Sequence, residues 1–166
     1  MTRNPSSPKA EELAVLGAEL VQADLDDEAS LRSALEGKWG VYAVQNTWEA
    51  GVEGEEEQGK RLARLAKEAG VQHFVYASVG SADQATGIPH FDNKYRIKET
   101  VRELGFPSYV ILRPAFFMEN WTSPFFKPGV DDGAVAQHQR NLRIVVRGRA
   151  DPAHPDRHHD LHPDHV

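Results

Sequence analysis

The sequence contains no cysteine in its 166 residues, which excludes a disulfide framework, a thiolate metal site and a cysteine nucleophile. No apolar run approaches the ~18 residues of a membrane-spanning helix, and the opening segment MTRNPSSPKAEE lacks the apolar core of a signal peptide. Basic residues are not in excess: 25 acidic and 19 basic residues give a formal net charge of −6. This balance argues against nucleic acid or an anionic membrane as the main partner. We expect a cytoplasmic protein.

Apolar strand-like runs alternate with helical patterns from residue 18 to residue 114. The predicted strands are 18–24, 41–46, 72–80 and 108–114, and the predicted helices are 8–17, 26–37, 55–70 and 91–105. A loop with Trp48 and Gly51 is expected between the second strand and the third helix. This alternation predicts an α/β fold with a doubly wound parallel sheet. Because 72–80 is almost wholly apolar, we expect its strand to be buried on both faces.

The last part of the sequence differs in composition from the rest. The apolar periodicity becomes irregular from about Ala134, although residues 141–150 allow one more strand. Residues 151–166 are rich in His, Asp, Pro and Arg, cannot bury a core, and are expected to be disordered. Their five histidines fit no defined metal-site spacing, so no metal is predicted. We expect one domain over residues 1–133 and a His-rich tail over 134–166.

Polar side chains stand where the predicted strands end. They are Asp24, Gln45 with Asn46, Ser78, and Arg113 with Pro114. A nucleotide lying across the carboxyl edge of a parallel sheet would meet all of them. In that position Asp24 suits the adenine or its ribose, Asn46 and Thr47 flank the nucleotide, and Ser78 faces a nicotinamide or a substrate. The alternative is that these are ordinary strand-exit residues, where polar groups are common.

His90 and Lys94 are four residues apart near the start of a predicted helix, so they share one helix face. A lysine in this place reaches ribose hydroxyls, and a His/Lys pair can orient a ribose. The alternatives are a solvated helix lysine and a histidine that caps or packs.

Several segments together resemble the NmrA-like family of atypical short-chain dehydrogenases. The resemblance covers residues 2–133 and is carried by the ordered combination of TRNP, ADLDD, YASVGSA, HFDNK and LRPAFFMEN. It implies a Rossmann-type domain that binds NADP(H), with a small-molecule acceptor or a regulatory protein as a further partner.

The resemblance also assigns roles to residues. In the family the arginine of TRNP contacts the adenosine 2′-phosphate, which gives this role to Arg3 with Asn4 beside it; a guanidinium recognises a phosphate by paired hydrogen bonds. The strand-end Asp24 takes the place near the adenine, and Lys94 takes the nicotinamide ribose. The remaining implied contacts flank the nucleotide or close over its nicotinamide end: Gln45, Asn46, Thr47, Phe117, Met118, Glu119 and Asn120.

The chain departs from short-chain dehydrogenases at the catalytic tyrosine of Tyr-x-x-x-Lys. The tyrosine position holds His90, and no tyrosine of this sequence has a lysine four residues later. Histidine here is typical of NmrA-like members, some of which resemble NADP redox sensors while others reduce quinones or dyes by direct hydride transfer. Direct transfer needs no protein tyrosine, so reduction stays compatible with the sequence.

The family pattern also begins with a strand and a glycine-rich turn, G-x-x-G-x-x-G, before TRNP, and this turn holds a pyrophosphate through backbone N–H groups. The sequence starts at TRNP, so we expect the sheet to lack its first strand and the glycine-rich loop. The segment 18–23 then lacks the inner neighbours that would join it to 41–45. The segment Gly37–Ala43 matches G-x-x-G-x-x-A, but it enters a strand and is not taken as a phosphate loop.

Three hypotheses for function follow. The first is an oxidoreductase that uses NADPH to reduce a quinone-like or other conjugated acceptor, with Lys94 on the ribose and His90 or Ser78 polarising the acceptor. The second is a non-catalytic NADP sensor that acts through protein partners. The third is a non-functional gene fragment.

Overall fold

The computed structural model describes residues 1–82, 86–115 and 117, and the backbone of 143–147. The helices are α1 (Pro8–Val15), α2 (Glu28–Leu35), α3 (Thr47–Glu68) and α4 (Pro89–Glu103), and the strands are β1 (Gly40–Ala43), β2 (His73–Ala77), β3 (Ser108–Arg113) and β4 (Arg143–Arg147). The sheet order is β1-β2-β3-β4, with the first three strands parallel. The predicted Rossmann-like α/β fold is confirmed.

β4 lies within residues 141–150, where the sequence allows one more strand, but it is not parallel to the others. It pairs antiparallel with β3, with Ile111 opposite Val145. An antiparallel strand at the edge of an otherwise parallel sheet is common, because an edge position does not require a crossover helix.

Helices α2, α3 and α4 pack on one face of the sheet. Side chains of a strand point alternately to its two faces, and Phe74 and Tyr76 of β2 are fully buried in the core that these helices form. Val75, which points the other way, is only half-buried. On the same outer face Tyr42 is 61% exposed. The expectation of a strand buried on both faces is therefore wrong for the described part of the chain.

The predicted strand at 18–24 is also wrong. This segment forms one parallel bridge, between Thr2 and Gln22, in which the Thr2 N–H donates to the Val21 carbonyl at 2.9 Å and the Ala23 N–H to the Thr2 carbonyl at 3.1 Å. A strand needs a neighbour along its length to form a ladder, and the four-stranded sheet begins at β1 instead.

The loop predicted around Trp48 and Gly51 is helical except at Gly51, so α3 begins eight residues earlier than the predicted start at residue 55. The Asn46 side chain accepts a hydrogen bond from the Trp48 N–H at 3.1 Å and caps the helix. Gly51, with φ 73° and ψ 173°, is non-helical and separates the first helical turn from the rest of α3 at a kink, a backbone conformation that the absence of a Cβ permits. The cap places Thr47 inside the first turn.

No helix in residues 1–82 or 86–115 combines the length and the apolar character needed to cross a membrane.

Candidate functional site

Three of the strand-end residues form a row across the carboxyl edge of the sheet. Ala43 of β1 lies beside Tyr76 of β2, and Tyr76 lies beside Ile111 of β3. Two residues further along each chain stand Gln45, Ser78 and Arg113, on the same face, and they are 5%, 5% and 9% exposed. The backbone pairing continues to this row, because the Ser78 N–H donates to the Leu112 carbonyl at 2.8 Å.

Two members of this row carry polar atoms without a partner. Both side-chain amide atoms of Gln45 and the hydroxyl of Ser78 are buried and have no hydrogen-bond partner among the described residues. A buried polar atom left without a hydrogen bond costs about 1–3 kcal/mol. The row therefore has free capacity to hydrogen-bond a polar ligand.

A buried carboxylate lies between α3 and α4, on the face of the sheet where this row stands. Glu55 of α3 is 0% exposed and accepts hydrogen bonds from the Thr47 hydroxyl, the Lys94 ammonium and, at 2.8 Å, the Asn93 side-chain amide. The same Asn93 amide donates to the Val52 carbonyl at 2.9 Å. The Lys94 side chain is 14% exposed. Lys94 is thus a nearly buried cation that is neutralised by Glu55, and not the solvated lysine of the alternative interpretation.

His90 lies in the first turn of α4 and makes packing contacts. Its ring centroid is 4.6 Å from that of Phe91 and 6.2 Å from that of Trp48. The hydroxyl of Ser78 has no hydrogen bond to His90 or Lys94 within the described part. The structure therefore brings His90 and Lys94 to one end of α4 without linking either of them to Ser78.

The TRNP segment reaches the start of α3. Arg3, whose side chain is 66% exposed, forms an ion pair with Glu49 at 2.8 Å, and its carbonyl accepts from the Gln22 side chain at 3.3 Å. Asn4 accepts from the Ser6 N–H at 3.1 Å. The exposed guanidinium of Arg3 thus stands next to the Gln45–Thr47 loop at the end of β1.

Asp24 organises a turn before α2. Its carboxylate accepts from the Asp26 N–H at 3.0 Å, and its own N–H donates to the Ser30 hydroxyl at 3.0 Å. Arg61 of α3 donates to the Leu25 carbonyl at 2.6 Å, which fastens this turn to α3. Asp24 is half-buried.

Of the remaining predicted site residues, the structure describes Phe117. Phe117 is 61% exposed, while Met118, Glu119 and Asn120 lie outside the described residues, as does the His-rich segment 151–166. Within the described ranges no three His, Asp or Glu side chains form a group able to hold a metal ion.

Sequence analysis missed Glu55 and Asn93. The glutamates at 55–57 looked like the favourable acidic start of a helix. The missed signal is the spacing, since Glu55 is separated by three, four and seven residues from Gln58, Gly59 and Leu62, all of them buried.

Tyr76 of β2 does not take the place of the catalytic tyrosine of Tyr-x-x-x-Lys. Its hydroxyl is buried and has no hydrogen-bond partner among the described residues. Burial raises the pKa of Tyr76 far above its ordinary value, and the negative charge of Glu55 raises the pKa further. The Tyr76 hydroxyl therefore stays protonated near neutral pH.

The sequence and the structure are similar to known nicotinamide-dinucleotide proteins. The NmrA-like oxidoreductase malD of Malbranchea aurantiaca is 35% identical over 135 residues, which cover 76% of this chain and 40% of that protein. The Escherichia coli quinone oxidoreductase QOR2 in complex with NADPH shares 30% identity at a TM-score of 0.65, over 79% of this chain and 44% of that one. NmrA, a negative transcriptional regulator, in complex with NAD shares 28% identity at a TM-score of 0.56, over 66% and 34% of the two chains.

The chain spans about 40% of the length of the malD relative. The family profile described as "NmrA-like family" matches residues 1–141. This match covers most of the sequence and agrees with the Rossmann-like sheet, and the chain belongs to the NmrA-like family.

Proposed function

We propose that this chain is an NADP(H)-binding domain, formed by residues 1–133, of a cytoplasmic oxidoreductase that reduces quinone-like or other conjugated acceptors. The observation that carries the proposal is the buried row at the carboxyl edge, in which Gln45 and Ser78 have unpartnered polar atoms. Dinucleotides bind at this edge in open parallel sheets. A carboxamide-bearing nicotinamide matches amide and hydroxyl groups that both donate and accept hydrogen bonds.

The residues around this row fit the rest of the dinucleotide. Lys94 would donate to the hydroxyls of the nicotinamide ribose, and the exposed guanidinium of Arg3 would bind the 2′-phosphate. Asp24 would lie near the adenine. The loop residues Gln45, Asn46 and Thr47, with Asn4 and the segment Phe117–Asn120, would flank the cofactor.

The reaction needs little acid–base chemistry from the protein. When bound, NADPH would supply a hydride to the acceptor, and solvent water would supply the proton that completes the reduction. His90 or Ser78 would polarise the acceptor by a hydrogen bond, so that no tyrosine is required. The similarity to QOR2, whose structure contains NADPH and whose name gives quinones as its substrates, supports this acceptor class.

Steady-state oxidation of NADPH, followed at 340 nm with a panel of quinones, tests the proposal. We expect acceptor-dependent turnover that Lys94→Met reduces by about tenfold, the loss expected for one hydrogen bond from a charged donor. Glu57→Gln, a change at an exposed position of α3, serves as the control and should leave the rate unchanged. Cofactor binding without turnover for any quinone would contradict the reductase.

That outcome would favour the second candidate, an NADP sensor that acts through a protein partner. Two observations support this alternative: His90, and not a tyrosine, stands four residues before Lys94, and the chain is similar to NmrA, a transcriptional regulator observed in complex with NAD.

A further inference from the structure

The ammonium of Lys94 donates a hydrogen bond to the carboxylate of Glu55, which lies between α3 and α4. Glu55 lies after the Gly51 kink of α3, and its carboxylate accepts hydrogen bonds from Thr47 and Asn93 as well as from Lys94. The Glu55 side chain is 0% exposed, so the groups of α3 and α4 that surround it restrict its orientation. Its position therefore depends on α3 and α4 and not on any ligand.

A fully buried carboxylate requires a cation, because an uncompensated charge is strongly unfavourable in a protein interior. Lys94 supplies that cation from α4. The attraction between the two charges restricts the flexible four-carbon side chain of the lysine to few rotamers, whereas a lysine without a partner samples many.

The hydrogen-bonding capacity of Lys94 leaves room for a ligand. An ammonium group has three N–H donors and no acceptor, and Glu55 accepts one of them. The remaining donors suit a pair of adjacent hydroxyls, such as the 2′ and 3′ hydroxyls of a ribose.

We propose that Glu55 is a positioning residue, which aims the Lys94 ammonium at the ribose diol of the nicotinamide half of the cofactor. This inference rests on the proposed function, because it requires Lys94 to contact that ribose. Glu55 itself touches no part of the cofactor and acts only through Lys94.

Titration calorimetry with two probes tests the proposal: NADPH, and adenosine 2′,5′-bisphosphate, which lacks the nicotinamide ribose. We expect Glu55→Gln and Lys94→Met each to weaken NADPH binding by about tenfold, and the double variant to lose no more than either single variant. Affinity for the bisphosphate should stay within about twofold of wild type in all three. Glu57→Gln, the same change at an exposed position two residues further on, is the matched control and should leave both affinities unchanged.

Glu55→Asp keeps the charge but shortens the side chain, and it gives a second measurement if Glu55→Gln does not unfold cooperatively. Glu55→Asp should weaken the binding of NADPH, by a smaller factor than Glu55→Gln, and should not change the binding of the bisphosphate.

Equal weakening of both probes would mean that Glu55 only supports the fold, and would overturn the inference. Weakening by Lys94→Met without any effect of Glu55→Gln or Glu55→Asp would overturn the inference alone. No effect of Lys94→Met, or no NADPH binding by the folded wild-type chain, would refute the proposed function and with it this inference.

Discussion

At the scale of single residues, Gly59 sets how closely α3 and α4 approach each other. A Cβ at this position would lie 2.7 Å from Cδ1 and 2.9 Å from Cγ2 of Ile97. Because Ile97 is 0% exposed, its side chain has no open space to move into. The close approach matters for the site, since Glu55, one turn earlier on α3, meets Asn93 and Lys94 of α4.

We expect Gly59→Ala to lower the free energy of unfolding by about 1–3 kcal/mol, the cost of overpacking a core. Gly54→Ala is the matched control on the same helix, since its Cβ would meet only the Ala50 Cβ, at 3.3 Å. The control should be neutral or more stable, by up to about 1 kcal/mol, because alanine is the better helix former. Urea unfolding followed by circular dichroism measures both. Equal stabilities of the two variants would contradict the close contact at Gly59.

Strand-end site residues are easier to predict than helix residues. Gln45 and Ser78 were predicted because a parallel sheet always brings the carboxyl ends of its strands to one edge. Glu55 was not predicted, because a run of three glutamates fits the acidic start of a helix, and only the spacing of Glu55 to Leu62 and Ala66 places it on the buried face. His90 and Lys94 were paired by spacing alone, and the spacing gave no sign that Lys94 turns to Glu55.

At the scale of elements, an ion pair on the rim of the α3–α4 contact makes stability depend on pH. Glu56 of α3 lies 2.6 Å from Arg96 of α4 and 2.6 Å from Lys60. The hydrogen bond from Arg96, together with that from Lys60, holds the pKa of Glu56 below its ordinary value. A lowered folded-state pKa means stabilisation that is complete above the unfolded-state pKa and is lost as the pH falls through the folded-state pKa.

We therefore expect wild type to exceed Glu56→Gln in unfolding free energy by up to about 1 kcal/mol at neutral pH, since the partners of this pair are half in solvent. The difference should shrink as the pH falls below the ordinary glutamate pKa of 4.5. Urea unfolding at a series of pH values between about 3 and 7 measures it. A difference that stays constant down to the lowest pH would show that the pKa of Glu56 is not lowered by folding.

Helices and strands were predicted best where the sequence signal lies within the element itself. The apolar runs that became β1, β2 and β3 were identified from composition, although each strand is shorter than its run. The strand at 18–24 failed because a strand depends on a neighbour that the run itself does not reveal. The loop around Trp48 was predicted only in part, because the Asn46 cap starts a helical turn there, while Gly51 does interrupt the helical backbone.

At the scale of the whole molecule, one face of the sheet is packed and the other is open in the described part of the chain. The apolar side chains of Tyr42 and Val44 on the open face are 61% and 59% exposed. Gln45 and Ser78 stand at the carboxyl edge on the packed face, so the proposed contacts with the nicotinamide belong to that face.

The most direct measurement is isothermal titration of the chain with NADPH and, for comparison, NADH, after circular dichroism has shown cooperative unfolding. We predict binding that prefers NADPH, and Arg3→Ala should remove the preference by weakening NADPH binding about tenfold or more while leaving NADH unchanged. Absence of NADPH binding by a folded sample would contradict the account. It would mean that Arg3 and the carboxyl-edge residues of this chain do not hold the cofactor.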